Sequence, residues 1–253
     1  MRSKAWLAAV PLIFMSACST LTIDKTRTTA VKRVAIVGFS VQQPRHKGLE
    51  SLFSSSNHGE YQWGSSLGVA NPLADEMYAA LEKQLAKEMK WKVIDRKQVA
   101  GNTFYQTFYD DKMKGMQMRP PAPSGIVYLA ANGIVDAYPL EAADSSRRKE
   151  IMKKLNVDAI AVATVKIELE KGGGLKMLVG AGDYFPKATV NFSVFDAKAE
   201  DPAWRDLAAA GEPVSEGVEH VFGFAPNISQ LEKKMASAAE NSYKKLVSRY
   251  RDI

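Results

Sequence analysis

Residues 31–41, VKRVAIVGFSV, set Val34, Ala35, Ile36, Val37 and Phe39 in a nearly continuous apolar run behind Lys32 and Arg33. Alternation would mark a strand with one wet face, whereas a continuous run marks a strand buried on both faces of a sheet. This stretch is the expected first central strand. Asn71-Pro72 then supplies an N-cap followed by proline at the first helical position. Leu73, Met77, Leu81, Leu85 and Met89 recur every four residues, which predicts an amphipathic helix to about Lys90. WKVIDR follows at once, with Trp91, Val93 and Ile94 as a second strand. Strand, long connection with helix, and strand make a βαβ unit, and the two strands are expected to be parallel.

Further on, Arg147 to Leu155 reads as a helix capped by Ser145-Ser146 and stopped by Asn156 in the left-handed conformation. VDAIAVATVKIELE after it is the most strand-like segment of the chain and the expected long central strand. KGGGLKMLVGAGDYFPK has five glycines from Gly172 to Gly182. It lacks the phosphate-loop register and no helix opens after it, so a flexible hairpin is expected. A membrane-spanning strand needs about 9 to 11 alternating residues, so no channel is expected from this tip. ATVNFSVFDAK alternates as an antiparallel strand, and AWRDLAAAG returns as a partner strand or a short helix. The stripe Ile228, Leu231, Met235, Ala238, Ala239, Tyr243, Leu246 and Tyr250 predicts a closing helix behind Asn227, with Lys244, Lys245, Arg249 and Arg251 gathered at its C-terminal end. That face suits either solvent or anionic lipid. The fold class is therefore α/β: one three-layer-like domain, residues 31–253, with a central mixed sheet, amphipathic helices and long insertions.

Apolar strand VAIVGF, helix, then Val93-Ile94-Asp95-Arg96, together with KKLNVDAIAVATV at Lys153 to Val165, resembles the curli secretion channel lipoprotein family. It also resembles the amino-terminal domain of the Tol-system propeller protein. The resemblance covers about Val31 to Ala197, broken by two insertions, and implies an envelope protein with a parallel α/β core. Asp95 and Arg96 read as strand-end residues that cap the next helix or pair locally.

The N-terminus carries the most specific signal. Arg2 and Lys4 precede an apolar run of 11 residues, Ala5 to Met15, too short to span a bilayer as a helix. Met15-Ser16-Ala17-Cys18 places small residues directly before the only cysteine of the chain, and resembles the lipobox of bacterial lipoproteins, departing from it at Met15, where leucine is usual. That resemblance implies cleavage after Ala17, acylation of Cys18 and, with Ser19 next, sorting to the outer membrane on its periplasmic side. The alternative is ordinary cleavage after Ala17 with Cys18 left free, a liability in an oxidising compartment. Residues 1–17 are thus the expected lipoprotein signal peptide, and residues 18–30, ending in the polar, Thr-rich LTIDKTRTTA, are the expected tether.

The 253 residues carry a net charge of +6, of which Arg2 and Lys4 account for two. The cations are spread rather than massed, which fits a surface near anionic phospholipid or cell wall better than a nucleic-acid site. With one cysteine there is no disulfide within the chain, and stability must come from apolar burial. The stretch Gln42 to Ser66 is too polar and long for an ordinary connection. Its Tyr61 and Trp63 suit a partner surface or a bilayer interface, unless they pack back on the domain; its His46 and His58 lack a third ligand at metal spacing. Val99 to Ala143 holds Met113, Met116 and Met118, an adaptable cluster, unless the segment is only a helix-loop-helix cover for the sheet. Ile126 to Ala131 and Ile134 to Leu140 are apolar enough to be buried.

No catalytic constellation emerges, and no cofactor or metal is expected. The expected function is a lipid-anchored binding or assembly component of an envelope or secretion complex, with an envelope protein partner and compatible with homo-oligomerisation. The alternative is a periplasmic enzyme drawing on His58, Asp95 or His220.

Overall fold

The computed structural model describes residues 21–44, 71–106, 126–172, 181–221 and 227–253. Eight strands form one mixed sheet: β1 (Leu21–Ile23), β2 (Arg33–Pro44), β3 (Lys92–Val93), β4 (Ile126–Ala130), β5 (Ala159–Gly172), β6 (Ala181–Asp196), β7 (Trp204–Ala210) and β8 (Val218–Val221). Among the described residues six helices accompany them: α1 (Lys25–Ala30), α2 (Pro72–Met89), α3 (Arg96–Ala100), α4 (Ala137–Glu141), α5 (Ser145–Leu155) and α6 (Ile228–Arg251). The main strand order is β1-β7-β6-β5-β2-β3, with β4 beside the far half of β2 and β8 beside the start of β6. The chain is an α/β fold.

β2 is the centre, as its apolar run requires. Val34, Ala35, Ile36, Val37, Phe39 and Val41 are buried. It pairs in parallel with β5 on one side and with β3 on the other, and α2 connects β2 to β3 as expected. The α2 start is the expected one: Asn71 Oδ1 accepts the amides of Leu73 and Ala74, at 3.0 and 3.3 Å. Its end is set by Lys90 in the left-handed region.

α2 and α6 cover one face of the sheet. There Phe39 meets Tyr78 edge-on at 5.4 Å, Phe192 meets Trp204 at 4.9 Å, and Tyr250 closes on Trp204 at 4.7 Å. Such aromatic pairs add to area burial through their edge-to-face electrostatics. The two helices are joined by Tyr243, whose buried hydroxyl donates to the carbonyl of Met77 at 3.1 Å. The opposite face is covered by α4 and α5, with the Arg148 guanidinium 4.1 Å over the Phe195 ring and Ser193 donating to Glu141 at 3.2 Å.

Four boundaries differ from expectation. Residues 21–30 are no tether: β1 pairs with the β7 edge, Leu21 opposite Asp206, and α1 is packed. A polar segment with no hydrophobic period still folds here because its polar groups find partners both within it and on elements far along the chain. Asp24 caps α1 by accepting the Arg27 amide at 3.0 Å, the buried Thr28 hydroxyl donates to Asp24 O at 2.9 Å, and Arg27 pairs with Asp196 at 2.5 Å. β2 runs on through Gln42 and Gln43 to Pro44, where a loop was expected, because β4 pairs with it. α5 begins at Ser145, capped by Asp144, whose Oδ1 accepts the Arg147 amide at 2.9 Å and the Ser146 hydroxyl at 2.6 Å. β6 starts at Ala181, well before Ala188, because β5 and β6 stay paired out to Gly172 opposite Asp183.

Candidate functional site

The central strand divides at its far end. Up to Gln42, opposite Lys166, β2 and β5 are paired. Beyond that point β2 continues with β4, Pro44 opposite Ile126, and β5 continues with β6 alone. Among the described residues nothing pairs with β5 on the vacated side. The wedge between the separating strands is a groove of about 290 Å³. Its walls are apolar at Pro44, Ile126, Ile167, Leu169 and Tyr184, with Lys166 and Lys171 among the polar residues that line it.

Two side chains set the chemistry of this groove. Gln43 is 3% exposed, and among the described residues its Oε1 accepts no hydrogen bond. A buried amide oxygen left in that state is costly, and an occupant bringing an N–H or O–H donor would relieve it. Tyr184 is also buried, and desolvation pushes its phenol up, keeping it neutral. Lys166 is engaged by Glu168 at 2.6 Å and Lys187 by Glu170 at 3.2 Å. Apolar walls with an unmet acceptor can hold an occupant that brings apolar area and a hydrogen-bond donor.

A second polar group lies on α2 and α3. Arg96 pairs with Asp75 and lies 5.8 Å from the ring of Tyr78. Tyr78 itself donates to Ile36 O at 2.9 Å inside the core. Glu82 is half-buried, and among the described residues its Oε1 has no partner. Burial, and then the nearby Asp95 charge, push its carboxyl up to about 7. Asp95 accepts the Lys97 amide at 2.7 Å as the N-cap of α3, and Arg96 pairs locally. Both behave as strand-end residues.

The third group lies at the end of the sheet where β2, β5 and β7 begin. α1 runs from edge strand β1 to central strand β2 and is fastened at each step. Lys25 Nζ donates to Tyr250 O and stands 3.8 Å over that ring; Thr28 and Tyr250 share a hydroxyl hydrogen bond of 3.0 Å. Arg27 also donates to Asp201 O at 2.8 Å. Burial works against ionisation of Asp196, yet the hydrogen bond from Arg27 holds its carboxyl below the usual range. Arg249 donates to Asp206 at 2.8 Å, and Arg251 reaches Glu88 at the end of α2.

Cys18, Tyr61, Trp63, Met113, Met116, Met118, His46 and His58 lie outside the described residues. His220 is in β8, opposite Gly182, remote in sequence and sheet position from Asp95. Among the described residues no three His, Cys, Asp or Glu side chains are grouped to hold a metal ion. No described helix is long and apolar enough to cross a membrane. Sequence reasoning missed the groove and Gln43, because the pairing of Gln42 to Pro44 with residues 126–128 has no local signature. It also missed Glu82, which looked like any polar-face residue of α2.

No protein-family model matches the chain, and no curated protein matches it. Among solved structures it is similar to a hypothetical protein from Chlamydia trachomatis, at 12% identity and a TM-score of 0.31, covering 87% of this chain and 96% of that one. A likeness at that level carries no functional argument.

Proposed function

We propose that this protein is a lipid-anchored binding or assembly component on the periplasmic face of a bacterial outer membrane, held there by an acylated Cys18. The observation that carries the reading is the leader: a basic start, a short apolar run and Met15-Ser16-Ala17 directly before the single cysteine. Two or more acyl chains on that residue would suffice for stable anchoring, and the resemblance to lipoproteins implies three. The binding half of the reading draws on the wedge beside β5, with its unmet Gln43 acceptor and apolar walls. An envelope protein partner fits it, alone or with a second copy of the chain.

Expression in a Gram-negative host with labelled palmitate tests the anchor. Wild type is expected to take up label and to fractionate with the outer membrane, while Cys18→Ser takes up none and becomes soluble. A Cys18→Ser protein that stays firmly membrane-bound sinks the lipoprotein reading. Crosslinking of wild type in membranes tests the assembly half: a monomer that captures neither itself nor another envelope protein removes its support.

A further inference from the structure

At the end of the sheet where β2, β3 and β5 begin, Arg33 of β2 stands opposite Lys92 of β3 in a parallel pair. The register fixes the face they occupy. Arg148 of α5 lies over Phe195; Phe195 stands opposite Ile160, and Ile160 opposite Ala35. Opposite residues share a face, as do residues two apart on a strand, so Arg33 and Lys92 lie on the face that α5 covers. The C-terminal end of α5, with Lys153 and Lys154, is drawn to them where the Asp158 amide donates to Arg33 O at 3.0 Å. On its other side Asn102 Nδ2 reaches Lys154 O at 3.5 Å, and Lys154 Nζ stands 5.3 Å over the Phe104 ring.

These four cations are uncommitted. Lys92, Lys153 and Lys154 are exposed, and among the described residues neither they nor Arg33 has a carboxylate partner. The lysines are not spent on the last carbonyls of α5 either: Lys153 O accepts the Asn156 amide at 3.3 Å, and Met152 O that of Val157 at 3.0 Å. Arg33 carries the sharper signal. Its Nε is shut off from solvent and, among the described residues, has no acceptor. A buried donor in that state is costly, and an oxygen of a bound anion would relieve it. The carboxylate within the group is Asp158, and its Oδ2 is turned to the backbone, accepting the Lys32 and Arg33 amides at 2.9 and 2.8 Å. Asp95 accepts the Lys97 amide as the cap of α3, and Glu150, a turn earlier in α5, is itself engaged. With exposed Lys32 and Lys90 flanking the group, cations outnumber these acids.

We infer that Arg33, Lys92, Lys153 and Lys154 form a binding site for a phosphate group. A guanidinium presents Nε and a terminal N–H as a fork that matches two phosphate oxygens, and the ammonium groups add point charges on its flanks. A soluble phosphate and a phospholipid headgroup offer the same oxygens, so the assay carries one probe of each kind. The inference is independent of the reading of Cys18.

Isothermal calorimetry on the purified full chain, in non-ionic detergent at low ionic strength, is run with inorganic pyrophosphate and with dihexanoyl phosphatidylglycerol. Binding of pyrophosphate alone supports a soluble phosphate as ligand; binding of the short-chain lipid supports a headgroup. In either case added salt should weaken binding. Arg33→Gln should weaken it about tenfold or more, with Arg33→Lys intermediate because it keeps the charge and loses the fork. Lys92→Gln with Lys154→Gln, at exposed positions, should cause a loss of similar size and carries the test if Arg33→Gln disturbs the fold. Lys198→Gln with Lys233→Gln, exposed and unpaired elsewhere on the chain, should leave binding unchanged. Binding of neither probe, binding that survives the site variants, or binding lowered as much by the control pair overturns the proposal.

Discussion

Arg249, in the last turn of α6, donates to the carboxylate of Asp206 in β7 at 2.8 Å, and Asp206 is completely buried. The pair ties the C-terminal helix to the strand that also receives β1. A buried carboxylate stripped of its cation is far more costly than the intact pair is favourable. Arg249→Ala should therefore destabilise the fold by about 2 kcal/mol, less than for a fully buried pair because the arginine is 25% exposed. Adding Asp206→Asn should recover part of the loss in urea unfolding. Additive single-site losses would show that the two residues do not act as a pair.

The packing of residues 21–30 makes a sharp prediction about truncation. A chain beginning at Leu21 should unfold at the same denaturant concentration as the full mature chain. One beginning at Val31 deprives Asp196 of Arg27 and uncovers the β7 edge, and should lose about 3 kcal/mol. Equal stability of the two truncated chains would return this segment to the status of a linker.

Glu82 should make stability depend on pH in the neutral range. Its folded-state carboxyl is raised from 4.5 to about 7. A raised value means that the folded state holds the proton more tightly, so the group's contribution is fully present below about pH 4.5 and is lost as pH rises through 7. Urea midpoints should fall between pH 5 and 8 more steeply in wild type than in Glu82→Gln, with the variant the more stable at pH 8. Parallel pH profiles for the two proteins would refute this.

Asp196 works in the opposite sense. Its carboxyl lies below the ordinary 3.8 in the folded state, so its contribution is present above that value and is lost as pH falls through the lowered one. Arg27→Gln should flatten the acid limb of the stability profile below about pH 4. An unchanged acid limb would mean that Arg27 does not hold the carboxylate.

Gln43 is the probe for the groove. Replacing its unmet buried amide with an apolar group of similar size removes a desolvation penalty, so Gln43→Leu should raise stability by about 1 kcal/mol. A loss of stability would show that the amide is already satisfied in solution. In crosslinking, the same substitution should weaken partner capture at the groove.

Sequence alone determined the elements whose information is local. Continuous apolar runs marked β2 and β5 as interior strands, the four-residue recurrence marked α2 and α6, and Asn71, Pro72, Asn156 and Asn227 marked helix ends, because buried faces and backbone caps leave their periods and residue types in the chain. Tertiary structure decided what depends on residues far apart. Leu21 to Ala30 folds only because Asp196, Trp204, Asp206 and Tyr250 come to meet it. The groove exists only because β2 and β5, paired to Gln42 and Lys166, then part toward different neighbours. Glu82 looks like any solvated glutamate until Asp95 and the chain at Arg96 close over it. In each case a polar residue takes its meaning from partners outside its own segment, and no hydrophobic period records them.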